Sequence, residues 1–133
     1  MREPSVNTLA IWHEMLDSLD MSRLHEIIAD DCVFHSPVVH TPQEGKDLTI
    51  LYLSGAAAVF NDSFHYVKEV ITDTHAVLEF SCDVEGIVVN GVDIMTFDDD
   101  GKIVEFKVMI RPLKGVNLMH QQMQAMLEQM RSK

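Results

Sequence analysis

The chain has 133 residues, of which 47% are hydrophobic and 23% charged, and its formal net charge is -11. That size and balance predict one folded domain, residues 1–133, with its own core, and exclude disordered and fibrous classes. The acidic excess works against binding nucleic acid or an anionic membrane, because both depend on clustered Lys and Arg.

Apolar residues Leu9, Trp12, Leu16 and Leu19 recur at three- and four-residue steps, which predicts an amphipathic helix from Val6 to Leu19. Asp20 and Ser22 are caps for a second, shorter helix through Leu24, Ile27 and Ile28, ended by Asp30-Asp31. CVFHSP then reads as a strand, and Pro37 and Pro42 bracket a loop leading through Gly45 and Asp47 into a third helix, Leu48 to Phe60. Beyond Asn61-Asp62 the β-branched and aromatic segments FHYVKEVIT, AVLEFSCDVEG, VVNGVDIMTF and KIVEFKVMIRP predict four antiparallel strands. The turn DDDGK makes the last two neighbours. It lacks the spaced ligands of a calcium loop. After Pro112 and Gly115, the residues Leu118, Met119, Met123, Met126, Leu127 and Met130 return to helical spacing. That Met-rich stripe is expected to pack as core.

No apolar run near the start has the length of a signal peptide and none elsewhere could span a bilayer, so a cytoplasmic location is expected. Cys32 and Cys82 lack C-x-x-C spacing and are expected to be reduced and packed. Seven histidines, His13, His25, His35, His40, His65, His75 and His120, form neither H-E-x-x-H nor a His-plus-carboxylate cluster. Neither metal nor cofactor is expected.

Alternation assigns the strand faces. Leu78, Phe80, Cys82 and Val84 form one apolar row, and Val104, Phe106, Val108 and Ile110 another, both directed at the helices. Opposite them lie Arg111 and Lys107, where ion pairs with Glu79 and Glu105 are expected. On the strand between, Asp93, Met95 and Phe97 share one parity and Val92, Ile94 and Thr96 the other, and parity leaves open which set turns inward. Of His65 and Tyr66 only one can face inward, and packing is expected for each.

The element order, together with ADDCVFHSP and GVDIMTFDDDGKIVEFKVMIRP, resembles the nuclear transport factor 2-like superfamily, in the branch of ketosteroid isomerase and the small polyketide cyclases. The resemblance implies an α+β fold in which a cone-shaped curved antiparallel sheet holds the N-terminal helices in its concave face, with a C-terminal helix added. It also implies a ligand cavity between helices and sheet. Ketosteroid isomerases use an aspartate base, a tyrosine and a neutral aspartic acid. By the resemblance the neutral acid falls on Asp93, turning it inward, while the base falls on Ser36 and the tyrosine on Trp12. Serine is no base without a partner, and an indole can donate one hydrogen bond but cannot ionise.

The expected function is therefore binding of a small hydrophobic carbonyl or hydroxyl compound, with cofactor-independent proton transfer of the isomerase, cyclase or dehydratase type if it is catalytic. Asp93 would be the acid and His35 the base, with Trp12, Phe34, Ser36, Leu53, Phe60, Phe80, Met95, Phe106 and Val108 around the ligand. Alternatives are a non-catalytic ligand-binding or dimerisation module of the same fold, or a protein-interaction adaptor. Val92, Ile94 and Met109 on the outer sheet face predict a homodimer through that face.

Overall fold

The computed structural model describes residues 3–131, with side chains described from residue 5 to residue 129; the expected core role of Met130 lies outside the described side chains. Helix α1 (Glu3–Ser18) turns Leu9, Trp12 and Met15 into the interior. It stops one residue earlier than its apolar spacing predicts, because Leu19 adopts φ 60° and its side chain is exposed. The second helix, α2 (Leu24–Ile27), is a single turn burying Leu24 and Ile27. Asp30 and Asp31 do not end it; they stand exposed within strand β1 (Ile28–His35), which begins at once.

A two-residue strand, β2 (Gln43–Glu44), pairs antiparallel with β1. Helix α3 (Lys46–Val59) follows, its first turn closed by the Thr49 hydroxyl donating to the Gly45 carbonyl at 2.9 Å. Strands β3 (His65–Ile71), β4 (His75–Val84), β5 (Ile87–Phe97) and β6 (Ile103–Arg111) form an antiparallel meander, and helix α4 (Leu113–Arg131) completes the described chain. The sheet order is β2-β1-β6-β5-β4-β3. One pairing, β1 with β6, is parallel. The sheet is curved and unclosed, with register shifts at residues 28–33, 66–68 and 96–97 bending its strands. Among the described residues no helix is long and apolar enough to cross a membrane.

The β5–β6 hairpin shows why DDDGK reads as a turn. Asp98 Oδ1 accepts the backbone N–H groups of Asp100 and Lys102, both at 2.9 Å, while Gly101 takes φ 79°. Thr8 Oγ1 donates to the Gly101 carbonyl at 2.5 Å, tying α1 to this end of the sheet.

Alternation holds along β4 and β5, where Leu78, Phe80, Cys82 and Val84, and then Asp93, Met95 and Phe97, are buried. It fails at the start of β6, because the irregularity at residues 96–97 pairs Phe97 with Ile103. Ile103 is therefore fully buried where Val104 was expected, and Val104 is half-buried. On the outer face Arg111 Nε donates to Asn90 Oδ1 at 2.8 Å and Asn90 Nδ2 to Glu79 Oε2 at 3.0 Å. An amide thus stands where a direct Arg111–Glu79 ion pair was expected. Glu105 faces His35 instead of Lys107, with His35 Nε2 3.1 Å from Glu105 Oε2.

Candidate functional site

Asp93 sits mid-strand on β5, paired with Leu78 of β4 and Val108 of β6, and is 6% exposed. Its Oδ2 accepts the Tyr66 hydroxyl at 2.8 Å. The Tyr66 oxygen in turn accepts the Trp12 indole N–H at 2.8 Å. Every donor in this chain points toward Asp93, so the ionised carboxylate is the form that Tyr66 supports. Burial opposes that preference more strongly and pushes the Asp93 carboxyl up to about 7. Burial, reinforced by the adjacent Asp93, holds Tyr66 well above its ordinary value, so the phenol keeps its proton at neutral pH. Tyr66 is wedged by His13, which lies edge-on 5.7 Å away and is fixed between the Leu9 carbonyl and Glu69.

Among the described residues, Asp93 Oδ1 accepts no hydrogen bond, yet it is not an orphan sealed in the core. Asp93 borders a cavity of about 310 Å³ between the sheet and helices α1, α3 and α4. Phe106 and Val108 share its floor, and Trp12, Phe34, Tyr52, Leu53, Phe60 and Phe64 supply the walls. The aromatic walls hold each other in place. Trp12 lies 5.3 Å from Phe106, and Tyr52 stacks on Phe34 at 5.5 Å. Exposed Val38, Val39, Gln124 and Glu128 rim the opening. A largely apolar chamber with one carboxyl group at its base suits an apolar body bearing a single oxygen.

The residues expected around a ligand divide in two. Trp12, Phe34, Ser36, Leu53, Phe60, Phe106 and Val108 border the cavity with Asp93. Phe80 and Met95 do not: at 1% and 0% exposure they are core, Phe80 being covered by Phe60 and Phe64. His35 is also displaced from the site. Strand alternation continues through Phe34 and His35 without a bulge there, so Phe34 faces the cavity and His35 faces Glu105 on the other side of the sheet. Ser36 Oγ accepts the N–H groups of Val38 and Val39, at 3.1 and 3.4 Å, and shapes the turn at the cavity's rim.

Sequence reasoning missed two contributors. Tyr66 was readable from register, since it pairs with Phe80, whose inward row was already assigned. The other is α4, which sends Met119, His120, Met123 and Leu127 to the cavity where simple core packing was expected. Gly55 of α3 lets α4 come close, since an added Cβ would stand 3.1 Å from Met123 Cε. Among the described residues no three His, Cys, Asp or Glu side chains are grouped to hold a metal. Cys32 is pushed up to about 11 by burial and remains a thiol.

This helix-capped, curved sheet around a cavity with an acid at its base defines a protein of the nuclear transport factor 2-like class. A family model for the SnoaL-like domain matches residues 10–106, and the chain belongs to that family. Comparison with curated protein sequences finds no match. Among solved structures, a steroid delta-isomerase from Pseudomonas aeruginosa is 33% identical, with a TM-score of 0.95 covering 100% of this chain and 98% of that one. A cystatin-like-fold protein from Silicibacter pomeroyi is 30% identical, with a TM-score of 0.82 over 89% of this chain and 83% of that one. The epoxide hydrolase/cyclase-like enzyme SalBIII, of pyran ring formation in salinomycin, shares the fold alone. It is 14% identical, with a TM-score of 0.65 over 80% of this chain and 90% of that one.

Proposed function

We propose that the cavity binds a small hydrophobic compound through a carbonyl or hydroxyl oxygen hydrogen-bonded to Asp93, and that the bound compound undergoes cofactor-independent proton transfer. The observation that carries this reading is Asp93 Oδ1, which accepts no hydrogen bond among the described residues while its side chain borders an apolar chamber. An acceptor left free at the base of an apolar chamber is available to a polar group of a ligand. Similarity to a steroid delta-isomerase supports a hydrophobic compound and an isomerase type of reaction.

A carboxyl group pushed up to about 7 holds a proton for much of its time at neutral pH, and can then donate to a ligand oxygen. Tyr66 fixes its orientation, and the surrounding rings give the bond an apolar setting. Calorimetry with 2-tetralone, a compact bicyclic ketone, against tetralin, the same body without oxygen, tests the reading. The ketone should bind at least tenfold more tightly, and Asp93→Leu should abolish that margin. Equal affinities for both compounds in the unaltered protein would refute it.

A second reading, a ligand-binding module without catalysis, is favoured by Ser36 standing where the family resemblance implies a base and by His35 facing Glu105 on the other side of the sheet. The two readings differ in turnover, not in binding. In either case the outer sheet face, where Val70, Val88 and Met109 are exposed, is the surface proposed to pair two copies.

A further inference from the structure

The proton acceptor missing from the Ser36 and His35 positions has a candidate on helix α4. Helix α4 directs His120 into the same cavity that Asp93 borders, and no other histidine does so. The histidines His13, His25, His35, His65 and His75 each have a ring nitrogen within hydrogen-bonding distance of a protein group. His120 is half-buried, yet its ring has no protein partner among the described residues. Its nitrogens are open to whatever occupies the chamber. Gln124 and Glu128 follow at four-residue intervals on the same helix and also border the cavity, passing from the half-buried imidazole to the exposed rim. Tyr52 also borders the cavity, with its ring stacked on Phe34.

We propose that His120 is the general base of this pocket, removing a proton from the carbon beside the ligand's carbonyl while Asp93 hydrogen-bonds the oxygen. The inference rests on the carbonyl-binding reading given above. The carbon–hydrogen bond breaks as the proton goes to an imidazole nitrogen. Its electron pair forms a carbon–carbon double bond, and the carbonyl π pair moves onto the oxygen that faces Asp93. The imidazolium then returns a proton to the same carbon, giving exchange, or to the far end of a conjugated system, giving isomerisation. Nothing is oxidised or reduced.

The substrate class that follows is a ketone with an acidic adjacent carbon, short enough to reach from Asp93 to α4. The experiment is deuterium uptake by 2-tetralone in D2O, followed by proton NMR and corrected for buffer catalysis, with ketone affinity measured in parallel. The intact protein should accelerate exchange, and His120→Ala should lower that rate about a hundredfold or more while changing ketone affinity less than threefold. Free imidazole should restore part of the loss, which a merely structural role for His120 would not allow. His35→Ala, on the outer face, should exchange like the intact protein. Ketone binding with exchange unchanged in His120→Ala overturns His120 as base and leaves the carbonyl-binding reading standing. Absence of ketone binding overturns both.

Discussion

Asp93→Asn separates the charge of this carboxyl from its shape. The amide oxygen can still accept the Tyr66 hydroxyl, but the side chain no longer ionises. Burial raises the folded-state value from 3.8 to about 7. Below 3.8 the group is protonated in both folded and unfolded chains and costs nothing. As pH rises, the unfolded chain loses its proton first, so the folded state is progressively disfavoured until pH passes about 7. At 1.36 kcal/mol per pKa unit, the native protein should lose about 2.5 kcal/mol between pH 5 and pH 8 on account of this group. Asp93→Asn should escape that loss. Urea denaturation of both proteins at the two pH values measures it, because contributions common to both cancel. The stability difference, variant minus native, should grow by about 2.5 kcal/mol toward pH 8. A difference that stays constant across that range would refute the desolvated carboxyl.

Tyr66→Phe removes the donor to Asp93 and strands the Trp12 indole N–H, so it should destabilise the fold by about 1–3 kcal/mol, seen as a lower urea midpoint. Because the Tyr66 bond holds the Asp93 value down, the same variant should move the carboxyl's titration upward, read by carbon-13 NMR of labelled aspartate. Gly91→Ala would place a Cβ 2.5 Å from the Phe80 ring and 2.6 Å from the Met109 carbonyl, and should cost about 1–3 kcal/mol in chemical denaturation. Light scattering at micromolar concentration should show a dimer, and a Met109→Lys substitution on the outer face should shift it toward monomer.

The features that could be read from sequence are those set by local period. A strand's two-residue repeat placed Asp93, Met95 and Phe97 on one row, and all three are buried. The DDDGK turn was legible because its hydrogen bonds are made within the turn itself. What parity cannot supply is the layer that lies above a row. Phe80 and Phe106 both point inward, but Phe60 and Phe64 close over Phe80 while Phe106 is left to floor the cavity. That difference depends on where α3 and the chain after it settle, far from either strand in sequence. The same holds for α4, whose methionine spacing is shared by a core helix and a cavity wall. Ile103 replaced Val104 in the core because the irregularity beside Phe97 shifts the row by one residue, which no alternation pattern announces. His35 failed as a site residue for the opposite reason, since alternation was obeyed where a bulge was needed.

The central claim is that the Asp93 proton reaches a ligand's oxygen, and carbon-13 NMR of bound 2-tetralone labelled at its carbonyl carbon tests it most directly. A carboxylic acid donating to the carbonyl polarises it and moves its resonance downfield. The bound signal should lie downfield of that in Asp93→Leu at pH 5 and return toward it as pH passes about 7, where the carboxyl loses its proton. A bound carbonyl resonance that is the same in both proteins, or that ignores pH across that range, would contradict the account.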